Sequence, residues 1–286
     1  MTIEGDGITK TASSQAGGFT IVASAGATDP RGVSFASLNF ISRYTYLRVP
    51  GPDALVSLIP NSFDLAAFNE MFRKSQDGLE RWVAAPPLRV QTRTLQFNTL
   101  TDTTLTAIDD TMTDAEYASI VQDLTWALPQ LTGGTFTAFA SVSKDTARPG
   151  EAVRLLADGV ITVARVSGLT GGSGYWGYTR WLPQNDGSIF GGLSMIDLGY
   201  DRSGSPFARS LRAHELGHAL GYNHVTVRPS VMNADARTEP NDFDRAGARI
   251  AFQRRPGNRS PDVDPTASGS INRVNLAPRG WTAPVF

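Results

Sequence analysis

The chain has three histidines, His214, His218 and His224, and all of them fall within one stretch, HELGHALGYNH. On an α-helix, residues four apart lie one above the other on a common face, so His214 and His218 are spaced to aim ring nitrogens at one point. Gly221 stands where such a helix is expected to stop, because glycine enters the left-handed conformation without a Cβ penalty. The turn there is expected to bring His224 back to the same point. Leu216 and Leu220, rotated around the axis from the histidines, are expected to pack into the core and hold the helix still. The stretch therefore demands a rigid helix closed by a glycine turn, and the rest of the fold has to supply a bed for it.

Imidazole nitrogens bind zinc at about 2.0–2.1 Å, and three protein ligands with a fourth position left to water is the catalytic arrangement of that metal. Glu215, next to the first ligand, is placed to take a proton from such a water as general base and later to pass it to a leaving amine. The plainer reading, histidines that merely sit on a polar helix face, does not account for the joint presence of Glu215, the third histidine and Gly221.

The remaining composition narrows the class. With 286 residues, 41% hydrophobic and 19% charged, the chain has the make-up of a globular protein with a sizeable core. A net charge of -1 and only short basic runs, such as Arg254-Arg255, argue against a nucleic-acid partner. There is no cysteine, which excludes disulfides, thiolate metal ligands and cysteine nucleophiles. No apolar run is long enough for a membrane span, and MTIEGDGITK lacks the basic start and apolar stretch of a signal peptide.

Along the chain, residues 1–30 read as an irregular lead-in with a strand or two. Leu65, Phe68, Phe72, Leu79 and Trp82 recur at helical spacing, predicting one helix through DLAAFNEMFRKSQDGLERWV. LRVQTRTLQF reads as a strand. Thr113 and Glu116 form the pattern of a capping box, opening a helix that runs to Pro129. Further strands are predicted over 136–142, over 160–166 (central in its sheet) and over 193–198, with a long aromatic loop over 168–192 whose Tyr175, Trp176, Tyr178 and Trp181 either line subsites or cover the sheet. A helix from Ser205-Pro206 carries the histidines, another runs from Asn241 to Arg255, and residues 256–286 read as an irregular tail laid on the domain. Residues 31–255 are thus expected to form a single catalytic domain.

HELGHALGYNH resembles the HExxHxxGxxH signature of the metzincin zinc peptidases, and the following RPSVMN resembles the segment around their Met-turn. The S-V-M-N form and the later PNDFDRAG look most like the matrixin-type members. The resemblance implies an α+β catalytic domain with a twisted, mixed and mostly parallel sheet, an edge strand over the cleft, an active-site helix and a C-terminal helix. It also implies a secreted zinc endopeptidase acting on proteins or peptides, with His214, His218 and His224 as ligands, Glu215 as base and Met232 packed beneath the metal without ligating it. Ala234 stands where some metzincins place a tyrosine ligand. The absence of cysteine rules out latency by a thiolate cap on the zinc.

An edge strand just before the active-site helix would let an extended peptide add to it antiparallel. The expected strand is 191–198, with Gly192, Leu193, Ser194 and Met195 touching substrate; a buried strand is the competing reading. Asp262 and Asp264 are noted as candidate oxygen ligands for calcium, against ordinary solvated carboxylates. Two other functions are kept beside the endopeptidase: a binding or adhesion module stabilised by zinc, and an aminopeptidase-type hydrolase.

Overall fold

The computed structural model describes residues 2–5, 8–10, 21–23, 30–48, 55–73, 78–266 and 279–284. The N-terminal part contributes strands β1 (Thr2–Glu4), β2 (Ile8–Lys10), β3 (Ile21–Ala23), β4 (Arg31–Ala36), β5 (Phe40–Ile41), β6 (Arg43–Leu47) and β7 (Ile59–Pro60). Of these, β1, β4 and β6 form a small antiparallel sheet, while β2 pairs with β3 and β5 with β7. The expected lead-in thus carries three short strands, and the β1–β4 pairing crosses the boundary drawn at residue 31.

Next come α1 (Leu65–Arg73), β8 (Leu88–Gln96), β9 (Thr104–Thr111), α2 (Asp114–Gln130), β10 (Val142–Asp145), β11 (Ala152–Arg154) and β12 (Ile161–Ser167). They are followed by α3 (Leu169–Ser173), β13 (Tyr175–Pro183), β14 (Ile189–Asp197), α4 (Leu198–Arg202), α5 (Ala208–Ala219), α6 (Asp242–Phe252) and β15 (Arg279–Pro284). One eight-stranded sheet runs β11-β9-β8-β12-β14-β13-β15, with β10 also on β8. The β10–β8, β8–β12 and β12–β14 pairs are parallel; the outer pairs are antiparallel. The architecture is α+β on a mixed sheet with a parallel centre. Among the described residues no helix is long and apolar enough to cross a membrane.

Two cores cover the two faces of this sheet. One packs Phe68 and Phe72 of α1, Ile120 and Leu124 of α2, and Leu211 and Leu216 of α5 against Val90, Val163, Trp181 and Ile196 of the strands. The other gathers Leu95, Val166, Leu169, Tyr178, Leu193 and Met195. As expected, β12 is central, and its side chains from Ile161 to Val166 are buried because both faces are covered. The capping box of α2 is present: Thr113 accepts from the Glu116 amide at 3.2 Å and Glu116 accepts from the Thr113 amide at 2.6 Å. The box on α6 pairs Asn241 with Asp244 in the same way.

Several expectations need correction. The first helix ends at Arg73, and Leu79 and Trp82 are buried outside any helix. Backbone pairing takes that segment: the Leu79 amide donates to the Asn258 carbonyl at 2.8 Å and the Arg81 amide to Gly187 at 3.0 Å. A helix there would forfeit these bonds. Residues 136–141 are not a strand, because the Thr132 hydroxyl accepts from the Phe136 amide at 3.1 Å and holds the chain in a turn; the strand starts at Val142. The predicted aromatic loop is α3 followed by β13, where Tyr178 and Trp181 are buried in the two opposite cores. The segment after residue 255 is not wholly irregular, since it supplies β15 to the main sheet.

The predicted edge strand is also misplaced. β14 lies between β12 and β13, so it offers no free edge. Leu193 and Met195 sit fully buried in the core on the far side of the sheet from α5, while Gly192 and Ser194 face α5 as its bed. None of the four is a substrate-facing residue of an open edge.

Asp262 and Asp264 are consumed by ion pairs, which corrects the calcium reading. Both Asp262 oxygens accept from Arg254, each at 2.7 Å, and Asp264 accepts from Arg43 at 2.9 Å and Asn258 at 2.8 Å. The Arg254–Asp262 pair is fully buried and ties the C-terminal segment to the end of α6. Removing one partner of such a pair costs about 3–5 kcal/mol. Asp262→Ala is therefore expected to lower Tm by roughly 6–20 °C, taking about 2–4 °C per kcal/mol for a chain of this size class. Calcium added to the parent protein is expected to leave Tm unchanged in the same thermal scan.

Candidate metal centre

The helix α5 is buried along its length from Ser210 to Ala219. Its apolar side rests on the first core through Leu211 and Leu216. Its one buried cation, Arg212, is matched by Asp123 and Asp201, each at 2.6 Å. His214 and His218 are thus presented by an element that has little freedom to move.

The Nε2 atoms of the three histidines converge: His218 to His214 is 3.0 Å, His218 to His224 is 3.1 Å and His224 to His214 is 3.3 Å. Tetrahedral ligands at 2.0–2.1 Å from zinc would stand about 3.3 Å apart, so the cradle is close to the size that ion requires. The other ring nitrogens fix the tautomers. His214 Nδ1 donates to the Val231 carbonyl at 2.8 Å, and His218 Nδ1 donates to the Tyr222 carbonyl at 2.7 Å. With those protons on Nδ1, both Nε2 atoms are acceptors and their approach is not a hydrogen bond. Burial reinforces the neutral form: it pushes His214 down to about 4 and His218 well below the usual imidazole value. Neutral, converging lone pairs are the donor set a divalent cation needs, so the residues present fit zinc.

The chain turns back to His224 as the motif requires. After the C-cap at Leu220, Gly221 takes φ 102°, and a Cβ there would come within 2.6 Å of the Glu80 carbonyl oxygen. Only glycine meets both conditions. The Asn223 amide then donates to the Met71 carbonyl at 2.7 Å, and the Tyr222 hydroxyl donates to the Leu131 carbonyl. His224 is half-buried where the other two are buried, so the cluster is reached from its side. No further His, Cys, Asp or Glu joins the cluster among the described residues.

Glu215 is buried beside β13. Its Oε2 accepts from Thr179 Oγ1 at 2.6 Å, and its Oε1 has no hydrogen-bond partner. Burial raises its carboxyl to about 8, against the opposing pull of the Thr179 hydroxyl. A cation held by the imidazoles would draw it back down by Coulomb attraction. Gly177 is the other contact, because a Cβ there would run into the Glu215 carboxylate.

Met232 is fully buried, and its Sδ packs against Gly217 so closely that a Cβ at Gly217 would collide with it. The segment around it is pinned by Asp244, which accepts from Ser230 Oγ at 2.6 Å, the Val231 amide at 2.9 Å and the Asn241 amide at 2.9 Å. Val231 in turn orients His214. Thr179, Gly177 and Asp244 were not anticipated. The sequence predicts a helix from Asn241 without singling out Asp244, and nothing in the aromatic stretch set Thr179 apart. Asp244→Asn leaves one carbonyl oxygen where three donors meet, and loss of such outer support is expected to weaken metal affinity by about 10–100-fold. Competition with a chromophoric chelator measures that directly.

A scan against protein-family models finds no match, and a search of curated proteins finds none either.

Proposed function

We propose that the chain is a zinc-dependent endopeptidase of metzincin-like type. The observation that carries this reading is a buried carboxylate oxygen without a partner, Glu215 Oε1, on the helix that presents two neutral imidazoles converging with a third. His214, His218 and His224 would hold the ion. Zinc bound there supplies a Lewis acid that polarises a carbonyl and acidifies water toward a pKa of about 7. Three ligand side chains, with no fourth among the described residues, favour an open, catalytic centre over a closed structural one.

Each of the chain's own groups then has a task. The Nδ1 bonds to Val231 and Tyr222 keep His214 and His218 in the tautomer whose Nε2 carries a lone pair for the ion. Thr179 fixes the Glu215 carboxylate through Oε2, so that Oε1 is the atom left to accept a proton and return it to the departing amine. Met232 supports the helix from beneath, at Gly217. The family reading is supported by the HELGHALGYNH spacing, the Gly221 turn, the buried Met232 and a mixed sheet with α5 packed on β13 and β14.

The test incubates zinc-loaded protein with casein, with and without a chelator. Cleavage abolished by chelation and restored by zinc is the expected result. Intact casein at full zinc occupancy would instead favour a zinc-stabilised binding module.

A further inference from the structure

We propose that the C-terminal strand β15 occupies the sheet edge on which a substrate peptide would lie, so that the chain covers its own peptide-binding edge and must release β15 before substrate binds. This rests on the peptidase reading above.

One edge of β13 is paired to β14; the other is paired antiparallel to β15, with Gly177 opposite Ala283, Tyr178 opposite Thr282 and Thr179 opposite Trp281. Gly177 and Thr179 are the two β13 residues that meet the Glu215 carboxylate. The backbone from Trp281 to Ala283 therefore runs beside the part of β13 that touches the candidate base. β15 also approaches α5, the helix that carries His214 and His218. An extended chain added antiparallel to a sheet edge is a general way of binding peptides, with main-chain hydrogen bonds giving the affinity. β15 uses that mode already, and it ends the sheet with β13 as its one strand partner among the described residues.

A substrate must compete with β15, so its apparent affinity falls by the fraction of chains in which β15 is released. For a released state populated to about 10% or less, freeing the edge lowers KM tenfold or more. kcat is unchanged, because the histidines and Glu215 are untouched.

Two full-length variants, Trp281→Pro and Thr282→Pro, test this. Neighbouring residues on an antiparallel strand alternate between bonding to the partner and facing away, so one of the two must remove a donor from the β13 ladder. A chain ending at residue 278 is the second arm, with zinc content and thermal unfolding as folding checks. In zinc-loaded protein acting on an unstructured peptide, the expected result is a KM at least tenfold lower in the truncated chain and in at least one proline variant, with faster amide exchange over Tyr175–Pro183. An unchanged KM in all three overturns the proposal, whatever the exchange shows. If none of the proteins cleaves peptide, the peptidase reading fails and binding decides. A labelled RGWTAPVF peptide that binds the truncated Glu215→Ala chain saturably and slows β13 exchange supports self-occupation, and its failure to bind overturns it.

Discussion

Glu215→Gln is expected to keep a full complement of zinc while hydrolysis of an unstructured peptide falls by a factor of about 10²–10⁴, the usual contribution of a positioned general base. Glutamine has nearly the same shape, and its amide oxygen can still accept from Thr179, so the helix and its histidines stay where they are. What it lacks is the capacity of Oε1 to take a proton. The same change has an opposite effect on the metal-free fold. Burial raises the folded carboxyl to about 8, whereas an unfolded glutamate titrates near 4.5. Between those values the folded Glu215 carboxyl keeps a proton that the unfolded one has lost, so this group's contribution to stability falls as pH rises. A neutral glutamine escapes that loss. Metal-free Glu215→Gln is expected to unfold at a higher temperature than the parent at pH 8, with the gap closing toward pH 5. Near-parental kcat/KM at full zinc occupancy would remove Glu215 from the role of base.

Removing the metal is expected to produce the second large effect. Zinc held by the three imidazoles would bind the folded chain and gain little from the unfolded one, so a free concentration of 1,000 times Kd would stabilise the fold by about 4 kcal/mol. Chelation should then lower Tm by roughly 8–16 °C at about 2–4 °C per kcal/mol. Acid acts in the same direction. An unfolded imidazole takes up a proton near pH 6.5, while burial lets His214 resist protonation down to about 4 and holds His218 well below the usual imidazole value. In that interval the unfolded forms of these two side chains bind protons that the folded forms refuse. The histidine contribution to metal-free stability is therefore lost as pH falls from 6.5 toward 4, against the opposing single-group contribution of Glu215, and is constant above 6.5. Protons also compete with zinc for the same nitrogens. Thermal scans from pH 7.5 to 4.5 should therefore show a shallower slope in His218→Ala than in the parent. Equal slopes would mean that these histidines are not held neutral.

The site was far more legible in the chain than the ground it stands on. His214, His218, Gly221 and His224 carry a local instruction, a helical spacing followed by a left-handed turn, and local geometry survives the choice of tertiary partners. The cap of α2, Thr113 with Glu116, was readable for the same reason. What failed depended on distant partners. Nothing near Leu79 announces that its amide bonds to Asn258, so apolar spacing extended α1 too far. Leu193 and Met195 read as strand correctly, but whether β14 is an edge depends on β13, which aromatic and glycine residues had disguised as a loop. Asp262 and Asp264 looked like free carboxylates because Arg254 and Arg43 reach them only in the folded chain.

The convergence of three imidazoles on one divalent ion is tested most directly by measuring metal content together with X-ray absorption at the zinc edge, on protein purified without chelators and reconstituted with zinc. The expected result is one zinc per chain with three nitrogen neighbours at about 2.0–2.1 Å, lost when His214, His218 and His224 are replaced together by alanine. Reconstituted protein without stoichiometric zinc, or zinc that persists in the triple variant, would contradict it.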